Sequence, residues 1–450
     1  MKSNSGLQSF LDRLKDTQDL FRVTAPVDAR FEISAILAQC GKENAPALFF
    51  EKVKGHTLPV VGNVLGTRNR LSLALGLDPA HFPENILPKL ERRADPVLAA
   101  HRASDEIIFT KERIDLKKLL PILTYYAKDS GPYITSGITS AKDQPLGLTV
   151  RGLHRMEVRG KKELGISLLS PPLSETYARC KKEKKKLEIA TVIGVDPAVL
   201  VSAILKVPPG VDKLALAGGL KGKSVPLVRA ESVDVDIPAD AEVTIEGFIS
   251  PRGKEEDGVM GESSGYYMAL PSSPTVHVTA VKIRKNACYH AIVPWGQEVD
   301  NLLFLIHGME FIPKMKREVP TLRRIHFVPG TFATHVVMSL DTDDKGEVRR
   351  ALTLALSFSY IKKAIAVNTD VDPSDAQEVE WALASRFQAH KDLILLQGIR
   401  GYVIDPSCGD GFSSSKIGLD ATRPASTGFE KVDVPEQVKS RVIPILKGLT

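Results

Sequence analysis

The sequence predicts a mixed α/β protein with an N-terminal α/β region, a central β-barrel-type region and a C-terminal α/β region. The chain has 450 residues, which is too long for one ordinary hydrophobic core. Short β-rich runs separated by turn residues dominate between Tyr133 and Val293. After about His307 strand and helix patterns alternate, and this alternation favours a mostly parallel sheet covered by helices.

The N-terminal region, up to about residue 115, mixes helix and strand patterns. Residues 31–40 are apolar and precede Gly41, which is typical of a short helix and its end. Two further apolar runs favour short strands, at residues 47–50 and 58–62.

The central region is predicted from a series of short strands, at residues 148–150, 156–158, 190–193, 225–228, 243–248 and 276–283. Pro226 lies in one of these runs. Because proline donates no backbone hydrogen bond, that run must be an edge strand or the start of a strand. A helix is predicted after Asp196, since Pro197 suits a first helical turn.

In the C-terminal region, the sequence pattern predicts strands at residues 335–340, 364–367 and 393–396. Between the first two strands, residues 347–361 have the pattern of an amphipathic helix. Ser374 and Gln377 form a capping box for another helix that runs to Phe387.

Composition excludes several classes of protein. The net charge of +6 is a slight excess for this length, and the basic cluster at residues 181–186 lacks interleaved aromatics, so it predicts a solvated hairpin or helix end without nucleic-acid binding. The 4 cysteines form no C-x-x-C pair, which predicts neither a disulfide framework nor a cysteine zinc site and fits a reducing cytoplasm. The sequence predicts no signal peptide and no apolar run near the ~18 residues that a membrane span needs.

Residues 257–267 form the most informative segment, because two carboxylates stand five residues apart among glycines. Asp257 and Glu262 are spaced by Gly258 and Gly261, which predicts a glycine-hinged loop rather than a helix face. Two neighbouring carboxylates can take separate acid and base roles when their environments differ. A solvated acidic turn is the alternative interpretation.

The same segment matches the serine-hydrolase pattern G-x-S-x-G, from Gly261 through Ser263 to Gly265. That motif needs a buried strand before it and a helix after it. Here a charged stretch precedes it and Pro271 stops any following helix, so the sequence argues against a hydrolase.

Further motifs occur in a fixed order along the chain, at residues 129–137, 153–158, 370–375, 381–384 and 417–422. Together with residues 257–267, they resemble the UbiD-like decarboxylase family, which includes polyprenyl-hydroxybenzoate and ferulic acid decarboxylases. The resemblance runs from about residue 115 to residue 422. It implies an α/β N-terminal domain (1–115), a central split β-barrel that binds flavin (116–306) and an α/β C-terminal domain (307–450).

The resemblance also implies chemistry: reversible decarboxylation of an aromatic, heteroaromatic or α,β-unsaturated acid, with prenylated FMN or FMN as cofactor. By position Arg155 holds the substrate carboxylate, Glu262 donates a proton after CO2 leaves, and Asp257 supports the arginine. Asp257 stands where many relatives carry glutamate. His290 lies where relatives line the substrate pocket, although a packed structural histidine is equally expected. A flavin prenyltransferase would supply the cofactor, and a homodimer or higher homo-oligomer is expected.

The sequence departs from the family where relatives bind a divalent metal beside the flavin phosphate. The asparagine position is Val150, no histidine occurs near residues 170–172, and the glutamate position is Lys213. An apolar residue and a cation cannot coordinate a hard divalent ion. The sequence therefore predicts that the usual metal is not held by side chains, whereas potassium stays compatible.

Cofactor contacts are expected along the strand that carries the arginine and near two lysines, at Val150, Gly152, Leu153, His154, Lys206 and Lys213. His154 should point away from Arg155 if the segment is a strand, which favours a structural role for its ring. Lys213, with Lys206 as a second candidate, is predicted to replace the positive charge of the metal. The alternative is a flavin-binding or cofactor-free paralogue that serves as a subunit of a decarboxylase or carboxylase complex.

Overall fold

The structure is a computed structural model that describes residues 6–40, 45–79, 86–99, 106–145, 147–208, 210–252 and 256–424, with short pieces at 432, 434–435, 437–438 and 441–442. The chain forms two compact units. The first comprises Met1–Phe311, Pro329–Ala333 and Tyr402–Cys408, and the second comprises Ile312–Val328, Thr334–Gly401 and Gly409–Thr450. The first unit contains the regions predicted as N-terminal and central domains, and the boundaries at 115/116 and 306/307 stay predictions.

The first unit begins with helices around a small sheet. The elements are α1 (Leu7–Asp16), β1 (Leu20–Val23), α2 (Glu32–Cys40), β2 (Ala47–Phe50), β3 (Val60–Gly62), α3 (Arg68–Leu75), α4 (Leu87–Leu90) and β4 (Val97–Leu98). The helix predicted at 31–40 is confirmed as α2, and Gly41 lies outside the described residues. The strands predicted at 47–50 and 58–62 are confirmed as β2 and β3.

The middle of the first unit is rich in strands. Its elements are β5 (Glu106–Thr110), a 3-10 turn (Lys111–Arg113), α5 (Leu116–Leu119), β6 (Tyr133–Ile134), β7 (Ile138–Asp143), β8 (Leu148–Leu153), β9 (Met156–Val158), β10 (Glu163–Ile166), α6 (Leu173–Lys182), β11 (Leu187–Ile193), α7 (Pro197–Ile204), α8 (Lys213–Lys221), β12 (Pro226–Arg229), β13 (Asp236–Pro238), β14 (Val243–Ile249), β15 (Met260–Gly261), β16 (Tyr267–Met268), β17 (Thr275–Arg284) and β18 (Tyr289–His290).

A nine-stranded sheet in the order β6-β9-β10-β17-β14-β11-β7-β8, with β5 also paired to β17, forms the centre of this unit. The prediction of a mixed α/β fold with a central barrel-like sheet is confirmed, since this sheet curls into a half-barrel. Strand β14 carries a bulge between Glu246 and Gly247. A Cβ at Gly247 would lie 2.2 Å from the His277 carbonyl oxygen, so only glycine allows the two strands to approach so closely.

Local signals in this region were largely correct. Strand β12 begins at Pro226, as predicted, and lies between β13 and β4 in a three-stranded sheet. Asp196 caps α7, because its Oδ1 accepts a hydrogen bond from the Ala198 amide at 2.9 Å. The basic cluster at 181–186 begins at the C-terminal end of α6, which confirms the predicted helix end.

The second unit contains β19 (Leu322–Phe327), β20 (His335–Leu340), α10 (Lys345–Ser357), β21 (Lys363–Asn368), α11 (Ala376–Arg386), α12 (Ala389–Asp392), β22 (Leu393–Arg400), a 3-10 turn (Asp410–Phe412) and β23 (Ser413–Asp420). The connecting helix α9 spans Gln297–Glu318, and the boundary between units falls within it. The five strands are ordered β19-β20-β21-β23-β22, with β20, β21 and β23 parallel, as the alternating pattern predicts.

The predicted capping box of α11 is wrong by one residue. Asp375, not Ser374, is the N-cap, and its Oδ1 accepts hydrogen bonds from the amides of Gln377 and Glu378. The Ser374 hydroxyl instead donates to Asp372 Oδ1 at 2.6 Å. A charged carboxylate at the cap also interacts favourably with the helix dipole, which explains why aspartate takes this position.

Candidate active site

The segment 257–267 is non-helical, as predicted, but it forms a short β-hairpin rather than an open loop. Strands β15 and β16 pair through Met260 and Gly261, and the Glu262 amide donates to the Tyr266 carbonyl at 2.9 Å. A Cβ at Gly261 would lie 2.2 Å from the Tyr126 ring, so glycine is required for this approach. The hairpin thus presents Glu262 at its turn, next to the segment of the same chain that carries Tyr126.

This geometry excludes the hydrolase motif. Ser263 lies in the hairpin turn, and the segment that follows is strand β16 rather than a helix. A nucleophile elbow needs a strand-to-helix turn to expose its serine. The G-x-S-x-G match is therefore incidental.

Arg155 lies in the connection between β8 and β9 and brings the two predicted carboxylates together. Its Nη1 donates to Glu262 Oε1 and its Nη2 donates to Asp257 Oδ2. Its Nε donates to Ser167 Oγ at 3.1 Å, and the guanidinium lies 5.9 Å from the centre of the Tyr133 ring. The side chain is 10% exposed, so the guanidinium is fixed in a mostly dry setting.

Asp257 is the more buried of the two carboxylates, with a side chain that is 1% exposed. Besides Arg155, its Oδ2 accepts a hydrogen bond from the Leu270 amide at 2.7 Å. Its Oδ1 has no hydrogen-bond partner among the residues that the structure describes. Asp257 is therefore placed to hold the arginine.

Glu262 is less enclosed, with 18% of its side chain exposed. Burial raises the pKa of Glu262 above its usual range, while the Arg155 charge and hydrogen bonds from Arg155 and the Ser263 amide offset part of that rise. The Asp257 charge raises the same pKa further. The surroundings of Glu262 thus favour holding and releasing a proton.

Asp129 is a site residue that the sequence placed in a motif but gave no role. Its Oδ2 accepts hydrogen bonds from the amides of Tyr125 and Tyr126, at 3.0 and 2.9 Å. Its Oδ1 accepts one from the Gly261 amide at 2.9 Å. This carboxylate ties the residue before Glu262 to a turn 132 positions away. No local pattern could have revealed the link.

We predict that Asp129→Asn lowers the turnover number about ten- to a hundred-fold, because a misplacement of about 1 Å costs that order of rate. The asparagine side chain has one acceptor oxygen, whereas three backbone N–H groups donate to Asp129. Either the turn at Tyr125 and Tyr126 or Gly261 therefore loses its hydrogen bond. The measurement is the rate of the decarboxylation that the family resemblance predicts, together with its pH profile. Asp234→Asn, at a side chain that is 67% exposed, is the control. Wild-type turnover in Asp129→Asn would contradict a positioning role.

The predicted cofactor residues lie on β8 or directly after it, at the start of α8 and, for Lys206, between α7 and α8. Val150 is buried in the main hydrophobic core, whereas Gly152 and Leu153 end the strand. The ring of His154 is buried, its Nδ1 lies 3.0 Å from the Ser167 carbonyl oxygen, and burial lowers its pKa to about 4. His154 is therefore neutral, and the nearby Lys213 charge lowers its pKa further.

The two predicted lysines differ sharply in environment. Lys213 is the first residue of α8, is 9% exposed, and donates from Nζ to the Ala203 carbonyl at 2.6 Å. Burial lowers the pKa of Lys213 to about 8. Lys206 is 69% exposed at its side chain and pairs with Glu310 at 3.0 Å. Lys213 is thus the buried cation of the pair.

The usual divalent metal does not fit these residues. Val150 offers no donor atom, and the Lys213 amine is a cation that already donates to a carbonyl. Among the described residues, no group of three or more His, Cys, Asp or Glu side chains is arranged to hold a metal ion.

His290 lies on β18. It is 3% exposed, and its Nε2 lies 3.6 Å from Glu298 Oε1. Its carbonyl accepts a hydrogen bond from Ser136 Oγ at 2.6 Å. Contact with substrate stays a prediction for this residue.

Tyr402 is a second residue that the sequence did not indicate. Its hydroxyl lies 3.0 Å from His307 Nε2. Burial and the Glu262 charge both raise the pKa of Tyr402. It therefore stays a neutral hydroxyl within electrostatic reach of the hairpin glutamate.

No helix in the described parts of the chain is long and apolar enough to cross a membrane.

Three family models match this chain. Residues 98–297 match the Rift-related domain of 3-octaprenyl-4-hydroxybenzoate carboxy-lyase, residues 301–421 its C-terminal domain and residues 11–90 its N-terminal domain. Anhydromevalonate phosphate decarboxylase of Methanothermobacter thermautotrophicus is 28% identical, over 96% of this chain and 100% of that protein.

Solved structures agree with these matches. The UbiD-class enzyme HmfF from Pelotomaculum thermopropionicum, in complex with FMN, is 36% identical with a TM-score of 0.91, covering 96% of this chain and 98% of that one. An evolved dimeric form of the same enzyme, in complex with prenylated FMN, is 34% identical with a TM-score of 0.87, covering 97% and 98%.

Proposed function

Because the chain belongs to the UbiD family of carboxy-lyases, we propose that it decarboxylates an aromatic, heteroaromatic or α,β-unsaturated acid with prenylated FMN as cofactor. The observation that carries the proposal is the Arg155 guanidinium held between Asp257 and Glu262. The three side chains come from separate parts of the sheet and hairpin, and they meet in a mostly buried place. A solvated acidic turn would leave both carboxylates in water, whereas Asp257 is 1% exposed.

Arg155 is the group proposed to bind the substrate carboxylate. A guanidinium has five N–H donors. In Arg155 three of them donate hydrogen bonds, to Glu262, Asp257 and Ser167. Two donors remain, which is the number that a bidentate carboxylate needs. Asp257 and Ser167 fix the plane of the fork, so the incoming carboxylate is oriented by a preset donor pair.

Glu262 is the group proposed to supply the proton. When an anionic substrate reaches Arg155, its charge raises the pKa of Glu262 further and favours the protonated acid. CO2 then leaves with the former carboxylate carbon, and the electron pair of the broken bond stays on the substrate. Glu262 protonates the substrate carbon from which the carboxylate left, so the broken C–C bond is replaced by a C–H bond and CO2 is released. In the reverse direction Glu262 removes the proton.

Prenylated FMN, when bound, supplies an electron sink that no side chain provides. The proposal that this chain uses it draws on HmfF, which is similar over almost the whole chain and has been solved with FMN and with prenylated FMN. In this chain Gly152 and Leu153 on β8 and Lys213 at the start of α8 are the residues proposed to hold the cofactor. Lys213 would face the phosphate, where its charge stands in for a metal ion.

We predict that Lys213→Ala weakens flavin binding about ten- to a hundred-fold, which corresponds to the loss of one charge-assisted contact of roughly 1.5–3 kcal/mol. Lys213→Glu should bind less tightly still, unless a divalent cation is added. The measurement is flavin affinity by fluorescence titration.

Two further variants make this measurement specific. Lys213→Met keeps the buried stem while removing the charge, and Lys206→Ala tests the exposed second candidate. Lys117→Ala, at another exposed lysine, is the matched control. Unchanged affinity in both Lys213→Ala and Lys213→Met would show that the ammonium does not meet the phosphate.

Native mass spectrometry of the chain co-expressed with a flavin prenyltransferase tests the cofactor proposal directly. The expected mass includes one prenylated FMN per chain without a divalent ion, and the spectrum also reports the proposed homo-oligomer. Release of CO2 from a panel of unsaturated and aromatic acids then tests the reaction. A tightly held manganese or magnesium ion in each chain would refute the prediction about the metal.

A second candidate function rests on the same departure at Val150 and Lys213. A paralogue that binds cofactor weakly or not at all would act as a subunit of a decarboxylase or carboxylase complex. Such a chain would purify colourless after co-expression and gain activity only with a partner. The retained Arg155, Asp257 and Glu262 arrangement favours the enzyme, because a subunit without chemistry does not need a buried, protonatable carboxylate.

A further inference from the structure

A cavity of about 250 Å³ lies in the first unit, away from Arg155. It is bordered by α1, the end of α3, Lys89 of α4, the start of α7 and the end of α8. Basic side chains dominate its polar wall, and the described residues that line it include Arg13, Lys89, Lys221 and Lys223 but only one carboxylate, Asp196. Nothing in the proposed decarboxylation uses this cavity.

One of the four cations, Lys221, is held by carboxylates. Lys221 Nζ lies 2.6 Å from Asp196 Oδ2, and its side chain is 9% exposed. The buried carboxylate of Asp240 also interacts with this ammonium. Burial raises the pKa of Asp240, and the Lys221 charge lowers it. Lys221 therefore neutralises carboxylates and is a structural part of the wall.

Arg13 and Lys89 bring positive charge to the cavity, and the groups that accept their hydrogen bonds are neutral main-chain carbonyls. Arg13 Nη2 donates to Leu73 at 3.2 Å, and Lys89 Nζ donates to Leu75 and Gly76 at 2.9 and 2.5 Å. These carbonyls belong to the last turn of α3 and its cap, so the helix end holds both cations at the cavity. Burial lowers the pKa of Lys89, and the Arg92 charge lowers it further.

The rest of the wall is apolar. Phe10 contributes a buried ring, with the Arg13 guanidinium 5.9 Å from its centre, and Leu73, Leu75 and Leu220 complete the surface. The space is several times the ~30 Å³ share of one water molecule. It therefore has room for an anionic group together with a small carbon skeleton.

We propose that this cavity binds a small phosphate ester, with Arg13, Lys89 and Lys223 meeting the phosphate and the apolar wall meeting the organic part. Phosphate carries more charge than a single carboxylate and has oxygens for several donors, which matches a cluster of arginine and lysine. The site lies at the opposite end of α8 from Lys213, roughly 12 Å along the helix. It is thus separate from the place proposed for the flavin phosphate.

The test is calorimetric titration of the full-length, cofactor-loaded chain with glycerol 3-phosphate, and separately with inorganic phosphate, at constant ionic strength. One saturable site per chain is expected, with the ester binding more tightly than inorganic phosphate. Arg13→Gln and Lys223→Gln should each weaken binding about ten-fold, and Lys117→Gln should leave it unchanged.

Lys213→Met, titrated with enough flavin to keep its weakened flavin site filled, separates this site from the flavin site, because it should leave ester binding at the cavity unaffected. Absence of saturable binding at millimolar ester overturns the proposal. So does equal weakening by Lys117→Gln, which would show a general charge effect, or loss of binding in Lys213→Met alone, which would place the ligand at the flavin site. Arg13 and Lys223 are exposed at the rim, so their variants keep the fold and the test remains informative.

Discussion

Replacing Glu262 by glutamine should lower the decarboxylation rate about 100- to 10,000-fold, which is the range that a positioned general acid contributes. Glutamine keeps the shape of the side chain and can still accept a hydrogen bond from Arg155, but it has no acidic proton to give. The cofactor should remain bound, since Glu262 belongs to the hairpin β15–β16 rather than to β8 or α8. Single-turnover assays and flavin content measure the two effects separately.

The pH dependence supplies a second readout for Glu262. Burial raises the pKa of this carboxyl, so the wild-type decarboxylation rate should stay high at mildly acidic pH and fall as pH rises through that raised pKa. The residual rate of Glu262→Gln should lose this dependence. Glu112→Gln, at a side chain that is 94% exposed, is the control and should match the wild type. Wild-type turnover in Glu262→Gln would remove the glutamate from the role of proton donor.

Replacing Arg155 by methionine should abolish substrate binding and also destabilise the protein. Removing one partner of a buried ion pair costs about 3–5 kcal/mol, because the remaining charge stays buried without compensation. Here two carboxylates, Asp257 and Glu262, lose the same partner. Arg155→Lys keeps a charge but loses the planar fork, so its stability should be closer to the wild type while kcat/KM still falls about 100-fold.

The stability of Arg155→Met should depend on pH in a predictable direction. Burial already raises the pKa of Glu262. The Arg155 charge is the largest influence that lowers this pKa, and the variant lacks it. A carboxyl whose folded pKa exceeds its unfolded value stabilises the fold fully below the unfolded pKa, and this stabilisation is lost as pH rises. Denaturant unfolding should therefore show the variant closest to the wild type at acidic pH and weakest above neutrality. A deficit that is constant with pH would point to lost packing instead.

Much of the fold could be predicted from local sequence because its determinants are local. Strand β9 matches its predicted bounds, β12 begins at the proline that forbids an earlier hydrogen bond, and α7 begins where Asp196 and Pro197 suit a first turn. The capping box of α11 shows the limit of such signals. Ser374 and Asp375 are both good caps, and which of them closes the helix depends on the competing contact that Ser374 makes with Asp372.

The site shows a sharper division. The residue types and order along the chain were enough to indicate Arg155, Asp257 and Glu262, and the structure brings all three together across separations of 102 and 107 residues. The sequence also showed that Val150 and Lys213 depart from a metal-binding pattern. It gave no role to Asp129 or Tyr402, because the role of a carboxylate or hydroxyl depends on the distant chain segment that it contacts.

What the sequence determined by itself was part of the strands and helices, the family and the residue types of the three side chains at the site. Tertiary structure alone decided that Asp129 anchors the hairpin, that Glu262 rather than Asp257 is the more exposed carboxylate, and that Lys213 is buried while Lys206 is not. The physical reason is that burial and hydrogen-bond partners depend on sheet register and on contacts between distant segments. Local periodicity fixes which face of an element is apolar, but not which distant group lies against it.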